Sequence, residues 1–176
     1  QGDATGTKDD GVVLPAGLTT HPFAAVGIYE SNAELRNLTI SAANYVAETY
    51  SFGSTVPALD AGQAAIMRVH DVDFIGGDYG VLVYRTSYVK IYNNVTITGW
   101  NLAGVSASWG ATVELNGNVI VTSGLTSTST SSEAVSAWHG GTVAIRNGGT
   151  FTASITTDRY SLSAGNNGFI RVYNVG

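Results

Sequence analysis

Cleaving a sugar or ester bond by acid–base chemistry needs two carboxyl groups that can flank one bond. Asp71 and Asp73 come closest to that requirement in this chain. Alternation puts them on one face of an extended segment, with Arg68 and His70 beside them and Asp78 a few residues on. They are the only weak catalytic candidates. Among the other acids of the repeating region, Asp60, Glu114, Glu133 and Asp158 are scattered. Metal chemistry has less support. His70 and His139 are far apart in the chain, there is no cysteine, and no His-Glu-x-x-His spacing occurs. Asp3, Asp9 and Asp10 lack the spacing of a calcium loop and read as a solvated lead-in. No Gly-x-Ser-x-Gly elbow or phosphate-binding glycine loop is present, so no cofactor is expected.

The elements that would position these residues are written in a repeat. Its frame is apolar-x-apolar, a corner of about five residues, apolar-x-apolar, then a corner residue and a third short apolar run. Val81-x-Val83 leads to Val89-x-Ile91 and Asn93; Val105-x-Ala107 leads to Val113-x-Leu115 and Gly117. Val135-x-Ala137 leads to Val143-x-Ile145 and Asn147; Leu162-x-Ala164 leads to Ile170-x-Val172 and Asn174. Leu59-x-Ala61 with Met67-x-Val69 and Asp71 fits equally, and Val26-x-Ile28 with Ala33-x-Leu35 and Asn37 fits with one residue less. The third run is Leu38-Thr39-Ile40, Val72-Asp73-Phe74, Val95-Thr96-Ile97 and Val119-Ile120-Val121, with a weaker version at Thr150-Phe151. Period-two alternation predicts strand, and fixed self-similarity predicts stacked repeats.

Three columns test the frame. The inward column, Leu35, Val69, Ile91, Leu115, Ile145 and Val172, has no polar member. The corner column, Asn37, Asp71, Asn93, Gly117, Asn147 and Asn174, holds residues that tolerate positive φ. Asp71 therefore has a turn role available without any catalysis. The outward column, Glu34, Arg68, Lys90, Glu114, Ala144 and Arg171, predicts ion pairs Glu34/Arg68 and Lys90/Glu114. The fold class expected is all-β, a right-handed parallel β-helix of about six coils with three short strands each. Residues 1–22 are read as an irregular lead-in, with Val12-Val13-Leu14 as a covering strand, and 23–176 as the β-helix. The sequons at Asn37 and Asn94 arise from the repeat itself.

These repeats resemble the pectin-lyase-like right-handed β-helix class. GVSASWGATVELNGN and AVSAWHGGTVAIRNGG are similar to coils of phage tail fibres and tailspikes and of bacterial autotransporters and surface adhesins. The class hosts enzymes, adhesins and stalks alike, so the resemblance implies architecture more than activity. The clustered aspartates and basic partner of pectate lyases are not evident. The expectation is a non-enzymatic extracellular structural or adhesive segment at a cell or virion surface. The alternatives are a polysaccharide depolymerase fragment of the same fold and a filament subunit stacking end to end.

The block is constant, so length variation gathers in the loops after the third run, which are expected to leave one corner as a single surface. Tyr45, Tyr50, Phe52, Tyr79, Trp100 and Tyr160 lie there and are the candidate ligand-binding residues, either stacking on sugar rings or shielding the core. The partners expected are a cell-surface glycan or protein receptor and neighbouring subunits or further coils, as a homotrimer or filament. A net charge of −5 disfavours nucleic acid, and no apolar run is long enough for a membrane-spanning helix. The ending after the Asn174 corner is expected to reflect a longer chain or a covering subunit, and, with no basic-then-apolar stretch after Gln1, any secretion signal is expected to have been removed.

Overall fold

The structure is a computed structural model that describes residues 11–13, 24–42, 56–122, 133–146, 151–154 and 161–173, the first and fifth of these as backbone. Alternating apolar residues make strands throughout, and no helix occurs among the described residues. In chain order the strands are β1 (Gly11–Val13), β2 (Val26–Tyr29), β3 (Asn32–Ala42), β4 (Pro57–Gly62), β5 (Ile66–Gly76), β6 (Tyr79–Tyr84), β7 (Tyr88–Tyr92) and β8 (Val95–Thr98). There follow β9 (Ala103–Ser108), β10 (Thr112–Asn116), β11 (Val119–Thr122), β12 (Glu133–Trp138), β13 (Thr142–Arg146), β14 (Phe151–Ser154), β15 (Leu162–Gly165) and β16 (Phe169–Val172).

The strands form two parallel sheets. The smaller runs β15-β12-β9-β6-β4-β2. The larger runs β14-β11-β8-β5-β7-β10-β13-β16, with β3 beside β5 and β1 beside β3. The larger sheet curls because β5 is long and bent. Its first half pairs with β7 and its second half with β8. The chain visits the smaller sheet once, crosses to the larger, and returns. β1 lies against Thr39–Ser41 of β3, so the strand expected near Val12 is present.

Register follows the repeat. Val26, Leu59, Val81, Val105, Val135 and Leu162 are successive partners in the smaller sheet. Ala33, Met67, Val89, Val113, Val143 and Ile170 do the same in the larger. A slip of one residue would turn each strand's apolar set outward, so burial of one face enforces this alignment. Inner side chains of both sheets join one core. Each fully buried Val, Leu or Ile contributes about 1.5–3 kcal/mol relative to exposure. The inward column is buried from Val69 to Ile145, but Val172 is 51% exposed on β16, an edge strand among those described.

Two features redirect side chains. Glu30, Gln63, Arg85, Trp109, His139 and Asn166, which follow the strands of the smaller sheet, all have φ between 47° and 56°. Such left-handed residues each cost about 1–2 kcal/mol. Bonds between stacked corners offset part of this, as in Ala64 N–H to Arg85 O (3.0 Å) and Thr86 N–H to Trp109 O (3.1 Å). The second feature is an irregularity shared by neighbouring strands. Gly80 and Gly104 interrupt the ladder between paired residues on both sides. They face the core: a β-carbon on Gly104 would collide with Val121 Cγ1. Tyr79 and Glu133, one step before this break, are left partly exposed on the outer face.

The expected ion pairs need correction. Glu34 stands opposite Arg68, and Glu114 opposite Lys90, as the columns predicted. The carboxylates nevertheless reach diagonally, Glu34 to His70 (3.1 Å) and Glu114 to Arg146 (3.3 Å). Lys90 instead lies over the Tyr92 ring, 5.7 Å from its centroid. Long side chains on a twisted parallel sheet reach diagonal neighbours as readily as direct ones.

Candidate functional site

The outer face of the larger sheet carries the acid candidates. Asp71 sits in the corner column with φ 53°, matching Asn37 at 51° and Asn93 at 65°. One carboxylate oxygen meets His70 Nδ1 at 2.9 Å, and the other accepts from Asn94 Nδ2 at 3.2 Å. Asn118 Nδ2 then donates to Asn94 Oδ1 at 3.2 Å, continuing the ladder. The bond to His70 is the main reason the Asp71 carboxyl lies below its usual range. Asp71 is thus an ionised, doubly engaged corner residue, a poor proton donor. Asp73 lies on the same strand, in register with Thr96 of β8. His70 Nε2 meets Glu34 at 3.1 Å, and its ring stacks on Tyr92 with centroids 4.8 Å apart. Burial opposes the charged imidazole, but the Asp71 and Glu34 bonds outweigh it and raise the His70 pKa. The two acids grip opposite ring edges and do not converge on one point. Among the described residues no cluster of three or more ligating side chains could hold a metal.

The smaller sheet has a different outer face. One column reads Gly27, Asp60, Leu82, Ser106, Ser136 and Ser163. The next pairs Tyr29 with Gly62, and aligns Tyr84, Ser108, Trp138 and Gly165. The aromatic rings lie over glycines: a β-carbon on Gly62 would run into Tyr84, and one on Gly165 would collide with Trp138. Asp60 is buried beneath Tyr29, whose hydroxyl donates to it at 2.6 Å. Burial raises the Asp60 pKa, although bonds from Tyr29 and Tyr84 oppose the rise.

Small residues in the middle of this face leave a depression of about 200 Å³. Ser106, Ser136 and Ala103 floor it, and Tyr79, Leu102, Glu133 and Trp138 wall it. Trp138 Nε1–H donates to Glu133 Oε2 at 3.3 Å, which holds the indole and the carboxylate together on one side. Beside it runs a corner ladder of rings. Tyr84 meets Trp109 edge-on at 6.3 Å, and Trp109 stacks on His139 at 5.5 Å. Asn166 Nδ2 approaches His139 Nε2 at 3.4 Å. Trp109 is 57% exposed, because its left-handed corner conformation turns it away from the core.

Of the six aromatic candidates, Tyr45, Tyr50, Phe52 and Tyr160 lie outside the described residues, as does Asp158. Tyr79 lines the depression. Trp100 is wholly buried in the core, with its indole N–H unpartnered; it shields the core and offers no face to a ligand. The reading of the repeat missed Tyr84, Trp109, Glu133, Trp138 and His139 as a group. Tyr84 and Trp138 were signalled by a column in which Tyr or Trp alternates with Gly or Ser one residue after the second anchor; Trp109, Glu133 and His139 lie outside that column. No family model, curated protein or solved structure matches this chain.

Proposed function

We propose that the two parallel sheets close into a right-handed parallel β-helix of about six coils, three short strands to a coil. It serves as an extracellular structural and adhesive segment of the kind found in phage tail fibres and spikes or bacterial surface adhesins. It meets a cell-surface glycan or a neighbouring subunit through the outer face and exit corner of the smaller sheet. The in-register columns support the rod. The adhesive half rests on one observation: Trp109 and His139 hold a stacked, exposed aromatic corner that the core does not need. Aromatic faces pair with sugar C–H faces, and a rigid backbone presents them at little entropic cost.

The test is adhesion of the purified chain to whole bacterial or eukaryotic cells and to a glycan array, with Trp109→Ala and His139→Ala as variants. Binding that drops at least tenfold in the variants supports the reading. Unchanged binding removes the corner from it, and cleavage of a polysaccharide by the wild-type chain overturns the non-enzymatic role.

End-to-end association is a second reading with its own observation. Leu162, Phe169 and Val172 are 40%, 53% and 51% exposed, an apolar surface on β15 and β16, which are edges among the described strands.

A further inference from the structure

We propose that the depression between Tyr79 and Trp138 is a subsite for one neutral pyranose ring, a specificity that rests on the adhesive reading above. The depression is roofless, and its floor is Ser106 and Ser136, in a column that carries the larger Leu82 one strand away. A sugar ring laid there has an aromatic wall on each flank for its C–H face. The two serine hydroxyls each donate and accept at its lower edge. Glu133 supplies an acceptor-only carboxylate, whose second oxygen is not taken by the Trp138 indole. A carboxylate that accepts from vicinal hydroxyls favours a ring rich in donors. No Lys or Arg lines the depression. A uronate or sialate would set its charge beside that of Glu133 with nothing to neutralise it, and like charges in a partly desolvated pocket repel. The class is therefore neutral hexoses or N-acetylhexosamines, with acidic sugars rejected.

The geometry also separates this subsite from the exposed corner. Trp138 is held over Gly165 and tied to Glu133, whereas Trp109 stacks on His139 around the bend. Substitutions at one place leave the other's contacts intact.

The experiment is calorimetric titration and protein-observed NMR on the full chain with three probes: a neutral hexose trisaccharide, an N-acetylhexosamine trisaccharide and trigalacturonate. The variants are Trp138→Ala, Glu133→Gln and Ser136→Leu, the last filling the depression and removing one of its two serine hydroxyls, with Trp109→Ala as the corner control. Thermal melts of each variant establish that it is folded. A neutral probe that shifts the Trp138 indole resonance, binds at least tenfold better than trigalacturonate, and loses at least tenfold in Ser136→Leu and Trp138→Ala supports the subsite. Glu133→Gln is expected to narrow the gap between neutral and acidic probes. Binding lost in Trp109→Ala but kept in Ser136→Leu overturns the subsite and leaves the adhesive reading standing. Preference for trigalacturonate overturns the neutral specificity. Binding of no probe, together with no adhesion to cells, overturns both.

Discussion

His70 is the residue whose protonation the fold reads most directly. Its imidazole lies between Asp71 and Glu34, and its pKa is raised, while both carboxyls are held below their usual range chiefly by their bonds to it. A raised histidine adds stability that is fully present below its unfolded value of about 6.5 and is lost as pH climbs through the folded value. The depressed acids add stability present above about 4 and lost as pH falls through their folded values. The cluster therefore contributes most between roughly pH 4 and 6.5. The melting temperature is expected to fall from pH 6 to pH 8.5 in the wild-type chain, and His70→Gln should flatten that slope. Scanning calorimetry across the range checks it, and an equal slope in both proteins would remove His70 as the cause. Trp109 belongs to the same scale. Its exposure makes Trp109→Ala a surface change, expected to move stability by less than about 1 kcal/mol while weakening adhesion.

The two sheets share one core but differ in what they show to solvent. The larger sheet turns out Glu34, His70, Glu114 and Arg146, tied to each other as ion pairs. The smaller sheet turns out serines between aromatic rings, with its acids under tyrosine or beside tryptophan. Charge pairing occupies the first face, whereas unfilled space remains on the second. What sets that second face is the break in the ladder at Gly80 and Gly104, which leaves Tyr79 and Glu133 outward. Gly104→Ala is expected to cost about 1–3 kcal/mol, because the added carbon meets both Val121 Cγ1 and the Ala134 carbonyl, and backbone cannot step aside. Leu115→Ala removes a buried side chain from the inward column and should cost about 2–5 kcal/mol. Urea unfolding of each variant measures both. A loss below half a kcal/mol for Gly104→Ala would mean the ladder break is soft rather than packed.

At the scale of the molecule, each strand is stabilised mainly by its neighbours in the stack, as in any repeat assembly. Interior strands have a neighbour on both sides; β1, β2, β14, β15 and β16 are edges among the described strands, and β15 and β16 carry the exposed Leu162, Phe169 and Val172. That asymmetry predicts where association begins. Sedimentation across a hundredfold concentration range is expected to show larger species as concentration rises, and Leu162→Ser with Phe169→Ser should suppress them. A single unchanging mass in the wild-type chain would exclude end-to-end stacking under those conditions.

Much of the architecture was legible in the residues, for a local reason. Alternation names the buried face, and a one-residue slip reverses it, so the columns headed by Val26 and by Ala33 could pair in only one way. The Asn, Asp and Gly corner was legible too, since few residues tolerate its backbone. The first corner was not: Gln63, Arg85, Trp109 and His139 take left-handed conformations that their side chains do not announce, held there by bonds between stacked turns. Trp100 was indistinguishable in sequence from a surface aromatic, because loop position does not say whether a ring folds inward. The meeting of Tyr79, Glu133 and Trp138 around two serines needed the third dimension. It depends on strands from three successive repeats lying side by side, and on a ladder break whose direction is set by how Ile97 and Val121 fill the core beneath it.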